Sequence, residues 1–404
     1  MKHIEGGVCA AKGFKAGGTH CGIRNNKNKN DLAMIVSDQQ CAAAAVYTKN
    51  KVQAAPIAIT KKHISNGYAK AIICNSGNAN TCAPNGEEIA NQVCELTGKV
   101  VGIDASDIIV ASTGVIGEEI SFEPFETGIP KLARELTYQG SKEAASGIMT
   151  TDTIEKEIAI DFELGGKQCA IGGIAKGSGM IHPNMATLLS FITTDVSISP
   201  KMLQKALSED VKDTYNQLSV DGDTSTNDMV TVLANGLAGN KIIDCNGEEF
   251  IQFVKALREV TAHLTKKLAE DGEGASKLII CKVTDANDVE VARKISKSVV
   301  SSNLFKAAMF GEDANWGRVL CAIGYAPGEF SAENIDVKMS SKLGEVIVCK
   351  GSRYFDHSEK VAAKVLSAKE INIDISMNEG SESAMAWGCD LTYDYVKING
   401  DYRS

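Results

Sequence analysis

Three short loops set hydroxyl residues beside small ones where a strand or helix should end. They are ASTGVIG at 111–117 (Ser112, Thr113, Gly114), MTTDT at 149–153 (Thr150, Thr151) and NMATLL at 184–189 (Thr187). The chemistry open to such residues is acyl transfer. A threonine inside a chain is a poor nucleophile, because its hydroxyl is hardly ionised near neutral pH. It becomes useful when its own α-amino group is free, since that amine titrates at about pH 7.7–8.0 and can act as the general base. Thr187 has the setting for this. The run KGSGMIHPN before it is a glycine-rich turn closed by Pro183. Leu188, Leu189, Phe191 and Ile192, followed by β-branched Thr193 and Thr194, read as a buried strand. Ala186-Thr187 at that junction is either an ordinary turn or a point where the backbone is cut and Thr187 becomes a new N-terminus. Taken alone, Thr187 is better read as the β-branched first residue of a strand, and the glycine-rich approach with Pro183 shifts this only modestly.

Other chemistries are disfavoured by pattern. GGIAKGSGM has the glycines and lysine of a phosphate loop in the wrong order, and no G-x-G-x-x-G follows a strand. The six histidines never form H-E-x-x-H, and no G-x-S-x-G elbow is present. VDGDTSTNDM alternates Asp221, Asp223 and Ser225 like a calcium loop but lacks the spacing to a closing glutamate, so it reads as a solvated turn. The closest two of the twelve cysteines, Cys74 and Cys82, are eight apart, and C-x-x-C is absent, which argues against a metal site. Cys74, Cys281 and Cys349 lie in strand-like runs and are expected to be small core residues in a reducing compartment.

The elements that must hold these loops alternate along the chain. AKAIICN, DIIVAS, ATLLSFITTDVSI, DMVTVLANG and KLIICKVTDA read as strands, and TIEKEIAIDFEL with KQCAIGGIAKG as a hairpin. NGEEIANQVCELTGKVVG and NGEEFIQFVKALREVTAHLTKKLAED read as helices. So does SPKMLQKALSEDVKDTYNQL, with Ser199 as N-cap and Pro200 in the first turn. FETGIPKLARELTYQGSKEAASGIM reads as one helical stretch, and two more are expected across 287–324. The expected class is α/β or α+β, with a larger domain over 1–280 and a smaller one over 281–404. At 404 residues, 44% hydrophobic and 23% charged, the composition is globular. A formal net charge of -9 without a basic block argues against nucleic acid. No signal-peptide pattern opens the sequence and no apolar run is long enough for a bilayer, so a soluble, cytoplasmic protein without a membrane partner is expected.

The blocks KGSGMIHPNMATLL (176–189), ASTGVIG (111–117), MTTDT (149–153), DGDTSTND (221–228), EGASK (273–277), DANWGR (313–318) and the terminal NGDYRS resemble, in order and over nearly the full length, the ornithine acetyltransferase family, the glutamate N-acetyltransferases of arginine biosynthesis. Many relatives end in threonine where this chain ends in Ser404, a change that keeps the hydroxyl. The resemblance implies a layered αββα sandwich, arranged like N-terminal-nucleophile hydrolases but with its own connectivity. It also implies self-cleavage between Ala186 and Thr187 into fragments 1–186 and 187–404, assembled as two copies of each. The implied reaction moves an acetyl group from N-acetylornithine through Thr187 to glutamate, with no cofactor and no metal. Members that use acetyl-CoA and members that do not share these motifs, so a second donor stays open. By the same resemblance Thr113 and Gly114 form the oxyanion hole, and Thr150, Lys176, Thr187, Glu273, Asn399 and Ser404 contact substrate. Charge suggests that Lys176 meets a carboxylate and Glu273 an ammonium. Two rivals remain: an aminopeptidase or amidase on the same scaffold, in which water takes the acyl group, and a metabolite-binding protein that is never cut.

Overall fold

The computed structural model describes residues 1–182 and 188–401. The expectations for Ala186, Thr187 and Ser404 fall outside the described residues. The chain forms two compact units, each built on one sheet.

The first unit takes in Met1–Gly177, Asn184–Lys212 and Thr224–Leu264. Its strands are β1 (Lys2–Ile4), β2 (Phe14–Thr19), β3 (Leu32–Tyr47), β4 (Tyr68–Asn78), β5 (Ile108–Val115), β6 (Lys156–Leu164), β7 (Lys167–Lys176) and β8 (Leu189–Thr194). After β9 (Leu218–Ser219), which belongs to the other sheet, comes β10 (Met229–Ala234). Among the described residues the order is β1-β6-β7-β8-β10-β3-β4-β5, with β2 beside the first half of β3. The expected β6–β7 hairpin is present and antiparallel. β8 continues the sheet antiparallel to β7, with Lys176 opposite Leu189, and runs parallel to β10, with Leu189 opposite Met229.

Side chains alternate across this sheet, and each face has its own core. Leu32 and Met34 of β3 point to one face, with Ile73, Val110, Val93, Phe125 and Ile129. Ala33 and Ile35 point to the other, with Ile174, Phe191, Ala144 and Ile148. Helices Gly86–Val101 and Glu123–Glu135 supply the first set and helix Ser141–Ile148 the second. Burial on both faces explains why the inner strands read as continuous apolar runs. The single helical stretch expected over 125–149 is two helices instead. Between them Thr137 exchanges backbone hydrogen bonds with Ala16 of β2. A Cβ on Gly140 would lie 1.9 Å from the Ala16 carbonyl oxygen, so the approach needs glycine there. Helix Pro200–Asp210 starts as expected, with the Ser199 side chain accepting from Met202 N–H.

The second unit takes in Ser178–Pro183, Asp213–Asp223 and Thr265–Ser404. It adds β11 (Leu278–Ala286), β12 (Asp336–Ser341), β13 (Gly344–Lys350), β14 (Arg353–Tyr354), β15 (Glu370–Ser376) and β16 (Glu382–Cys389), in the order β14-β13-β12-β15-β11-β16-β9. Ile279, Cys281 and Val283 face a core that Val291, Ile295 and Val299 of helix Val289–Ser301 complete, while Lys282 on the opposite face is exposed. The two helical stretches expected after β11 are three: Val289–Ser301, Asn303–Phe310 and Trp316–Gly324. The domain boundary expected near residue 280 falls inside β11. Helix Glu248–Glu270 runs unbroken past the division at Leu264, so no turn residue marks it in the sequence.

Both units are mixed α/β, the class expected. All twelve cysteines are free thiols and seven are buried, Cys74, Cys281 and Cys349 among them. Among the described residues no cluster of potential metal ligands occurs, and no helix is long and apolar enough to cross a membrane.

Candidate active site

In the first unit the ends of β5 and β7 bring Thr113 and Lys176 together. Lys176 is the last residue of β7, only 8% exposed, and its Nζ donates to Thr113 Oγ1 at 3.2 Å. An ammonium has donors only, so Thr113 accepts here and its own hydroxyl hydrogen is left to donate elsewhere. Gly114, next along β5, has φ +135°, and a Cβ on it would sit 2.3 Å from the Gly77 carbonyl carbon. Only glycine lets the β5 backbone turn there against β4. The strand ends are fixed from behind by Asn227. Its Nδ2 donates to Ser112 O at 2.8 Å and Ala79 O at 2.5 Å, and its Oδ1 accepts from Thr81 and Thr226 hydroxyls at 2.7 and 2.6 Å.

Asp152 ties the 149–153 loop to the same place. Its carboxylate accepts from Thr150 N–H at 2.9 Å, Gly177 N–H at 2.7 Å and Lys156 Nζ at 2.7 Å. The Asp152 and Lys156 side chains are wholly buried. Burial alone would raise the Asp152 carboxyl, but Lys176 and Lys156 hold it well below the usual carboxylate range. Burial lowers the pKa of Lys176, Asp152 opposes this, and the like charges of Lys156 and Arg24 add to it. Arg24 enters from the loop before β3. Asp31 accepts the N–H groups of Cys21, Gly22 and Arg24, and the Arg24 guanidinium donates to Met149 O, next to Thr150. Buried Thr113 and Lys176 and half-buried Gly114 and Thr150 therefore share one cation-rich neighbourhood. An anionic group bound there would relieve the cost of the Lys176 charge.

The second unit brings Glu273 and Asn399 together. Asn399, in helix Tyr393–Gly400, donates from Nδ2 to Glu273 Oε2 at 2.7 Å. Glu273 is 9% exposed and its N–H donates to Ser178 O at 2.9 Å. A Cβ on Gly179 would lie 2.2 Å from Glu273 Oε2, so the 178–182 segment passes the carboxylate at the closest range a backbone allows. The calcium-like run has a structural duty instead. Asp221 accepts from Met180 N–H at 2.6 Å, Ile181 N–H at 2.8 Å and Asp223 N–H at 3.2 Å.

Asp152, Lys156, Asn227 and Arg24 were not singled out by their types and spacing. MTTDT contains Asp152, and a Lys four residues on was the available signal. Such a pair on a sequence reads as a solvated face unless its burial is known.

The ArgJ family model matches residues 15–404. A relative from Clostridium acetobutylicum, named arginine biosynthesis bifunctional protein ArgJ 1, is 47% identical over 392 residues, 97% of this chain and 96% of its own. The arginine biosynthesis bifunctional protein ArgJ of Caldanaerobacter subterraneus subsp. tengcongensis is 46% identical over the whole of both chains. Among solved structures, the ArgJ crystal structure from Bacillus halodurans matches with a TM-score of 0.50 and 44% identity, covering 52% of this chain and 98% of that one. The chain belongs to the ArgJ family.

Proposed function

We propose that this chain is an acetyltransferase of arginine biosynthesis that cuts itself between Ala186 and Thr187. It then carries acetyl from N-acetylornithine to glutamate on the Thr187 hydroxyl. Family membership supports the pathway and the acyl chemistry. The observation that carries the site is the buried Lys176 ammonium donating to Thr113 Oγ1 beside Gly114. The half-length match to the Bacillus halodurans chain supports cleavage, since one fragment would have about that size.

The steps balance as follows. Thr187 Oγ attacks the Ala186 carbonyl, the amide becomes an ester, and water releases fragment 1–186 as a carboxylate. The new α-amino group then takes the Thr187 hydroxyl proton as Oγ attacks the acetyl carbonyl of N-acetylornithine. The oxyanion forms against the Thr113 hydroxyl and the Gly114 N–H, donors positioned before charge develops. Ornithine leaves with the proton, and the amine of glutamate takes the acetyl by the reverse sequence. Lys176 meets the α-carboxylate common to both amino acids, with Thr150 beside it. Glu273, held by Asn399, suits the ornithine ammonium. Ser404 completes the substrate contacts in this reading, no cofactor is needed, and the assembly is two copies of each fragment.

Incubation with N-acetylornithine and no glutamate should place one acetyl group on the peptide that begins at Thr187. Steady-state kinetics should give parallel double-reciprocal lines. Intersecting lines with no acetylated peptide after rapid quenching would mean direct transfer, with Thr187 a processing residue only. If water rather than glutamate takes the acetyl group, the enzyme is an amidase. Acetyl-CoA as sole donor, tried in the same assay, decides between one donor and two.

Lys176→Met should raise KM for N-acetylornithine and glutamate together, by about a hundredfold, because a paired charge in a buried site is worth a few kcal/mol. The comparison is made on fully cleaved protein. Unchanged KM values for both substrates would remove Lys176 from the site.

A further inference from the structure

The loop between β2 and β3 reads IRNNKNKN over residues 23–30, with three cations and no acid. Lys27 and Lys29 are exposed, while Arg24 is half-buried. Buried Asp31 fixes the course of the loop. Its carboxylate accepts the N–H groups of Cys21, Gly22 and Arg24 at 2.7, 3.2 and 3.0 Å, and its carbonyl accepts Ser76 N–H of β4 at 2.9 Å. The Arg24 stem lies on β4 at Gly77, where a Cβ would sit 2.7 Å from the Arg24 Cγ. Gly77 has φ +104° and stands opposite Gly114 in the β4–β5 pairing. The guanidinium donates to the carbonyl of Met149, the residue before Thr150. Arg24 thus borders both Gly114 and Thr150, and Lys176 feels it as a like charge. Two cations held near each other away from water repel, and an anion that reaches both removes that cost.

We propose that Arg24 is a specificity residue for the acceptor, its guanidinium binding the side-chain carboxylate of glutamate while Lys176 binds the α-carboxylate. This rests on the transferase reading above. The two amino acids of that reaction differ in the charge of their side chains. N-acetylornithine brings one carboxylate and a side-chain ammonium, and glutamate brings two carboxylates. Glu273 suits the ammonium and would repel the second carboxylate, so glutamate needs a cation besides Lys176. Lys156 does not serve, because its side chain is wholly buried against Asp152 at 2.7 Å. Arg24 is the cation beside Thr150 that solvent still reaches in part. A guanidinium is a planar fork of N–H donors, so it holds a carbonyl and a carboxylate at the same time, and the carboxylate matches the fork in shape.

Two partial exchange reactions of the full, cleaved chain separate the substrates. One carries labelled ornithine into N-acetylornithine without glutamate, the other labelled glutamate into N-acetylglutamate without ornithine. Arg24→Gln should lower kcat/KM of the glutamate exchange about tenfold or more beyond any loss in the ornithine exchange, mostly through KM. Glutamine, which has the shape of glutamate without the side-chain charge, gives the second readout. As acceptor, glutamate should be preferred to glutamine by about a hundredfold or more in wild type and by less than about tenfold in Arg24→Gln. Lys27→Gln and Lys29→Gln, on the exposed part of the same loop, should leave both ratios within about twofold. Equal losses in the two exchanges, an unchanged preference for glutamate over glutamine, or the same shifts in the Lys27 or Lys29 variants overturns the proposal. Should Arg24→Gln fail to fold or to be cut, Arg24→Lys decides. It keeps the charge and loses the fork, so the glutamate exchange should fall about threefold or more against the ornithine exchange, and an unchanged ratio overturns the proposal. Wild type with neither exchange overturns the transferase reading and this inference with it. Wild type with both exchanges and any contrary result in the variants overturns this inference only.

Discussion

Thr187→Ala is expected to remain one uncut chain of 404 residues with no measurable acetyl transfer. The substitution removes two functions together. Without Oγ nothing attacks the Ala186 carbonyl, so the amide stays closed and no α-amino group appears. Without that amine there is no general base, and without the hydroxyl there is no acetyl acceptor. The transfer rate should fall by about 10⁴-fold or more, as when a nucleophile is removed from other acyl-transfer sites. Thr187→Ser separates the roles, since it keeps a hydroxyl and loses only the β-methyl that limits its rotamers. It should still be cut, more slowly, and still become acetylated. A denaturing gel and intact mass check both. Two fragments from purified Thr187→Ala, with the cut still before residue 187, would refute autocatalysis by this residue.

How much of this was legible beforehand depended on range along the chain. Elements whose signal is local were readable. The Ser199-Pro200 helix start, each arm of the β6–β7 hairpin and the strand run of β11 each lie within a window of a dozen residues. The break between helices Glu123–Glu135 and Ser141–Ile148 was not readable, because its cause is the Ala16 backbone more than a hundred residues away. The same limit applied at the site. Loops 111–117 and 149–153 were singled out by their hydroxyls, and the roles of Thr113, Gly114, Thr150, Lys176, Glu273 and Asn399 came from the family resemblance. The residues that hold several of them in place could not be found that way. Asn227 acts on Ser112 and Ala79, and Asp31 on the Arg24 loop, through backbone groups that carry no side-chain signature. The run around Asp221 reads as a solvated turn despite its calcium-like alternation, and what that reading lacks is that the Asp221 oxygens accept the backbone N–H groups of Met180 and Ile181.

Asp152→Asn should produce the largest loss of stability of any single change near this site. The carboxylate is fully buried with Lys156 at 2.7 Å, and it also accepts the Thr150 and Gly177 N–H groups. Asparagine keeps the shape but has one acceptor oxygen and no charge, so the Lys156 ammonium loses the carboxylate that offsets its desolvation. Removing one partner of such a pair costs about 3–5 kcal/mol. The pH dependence follows from the sign of the Asp152 shift. A carboxyl held low in the folded state contributes stability that is fully present above its unfolded pKa of about 3.9. That contribution is lost as pH falls further towards the folded value. The gap between wild type and Asp152→Asn in denaturant unfolding should therefore be constant from about pH 5 to pH 7 and close progressively below about pH 4. A gap under about 1 kcal/mol at pH 7 would show that the pair stabilises nothing. Asp152→Asn combined with Lys156→Met removes both charges and should recover much of the loss, since no buried ammonium is then left without its carboxylate. It should not recover function. Gly177 would still lack its carboxylate anchor, and Lys176, the residue before it, would still be misplaced against Thr113. Stability restored with KM still raised is the result that separates the fold-holding duty of Asp152 from its duty to the site.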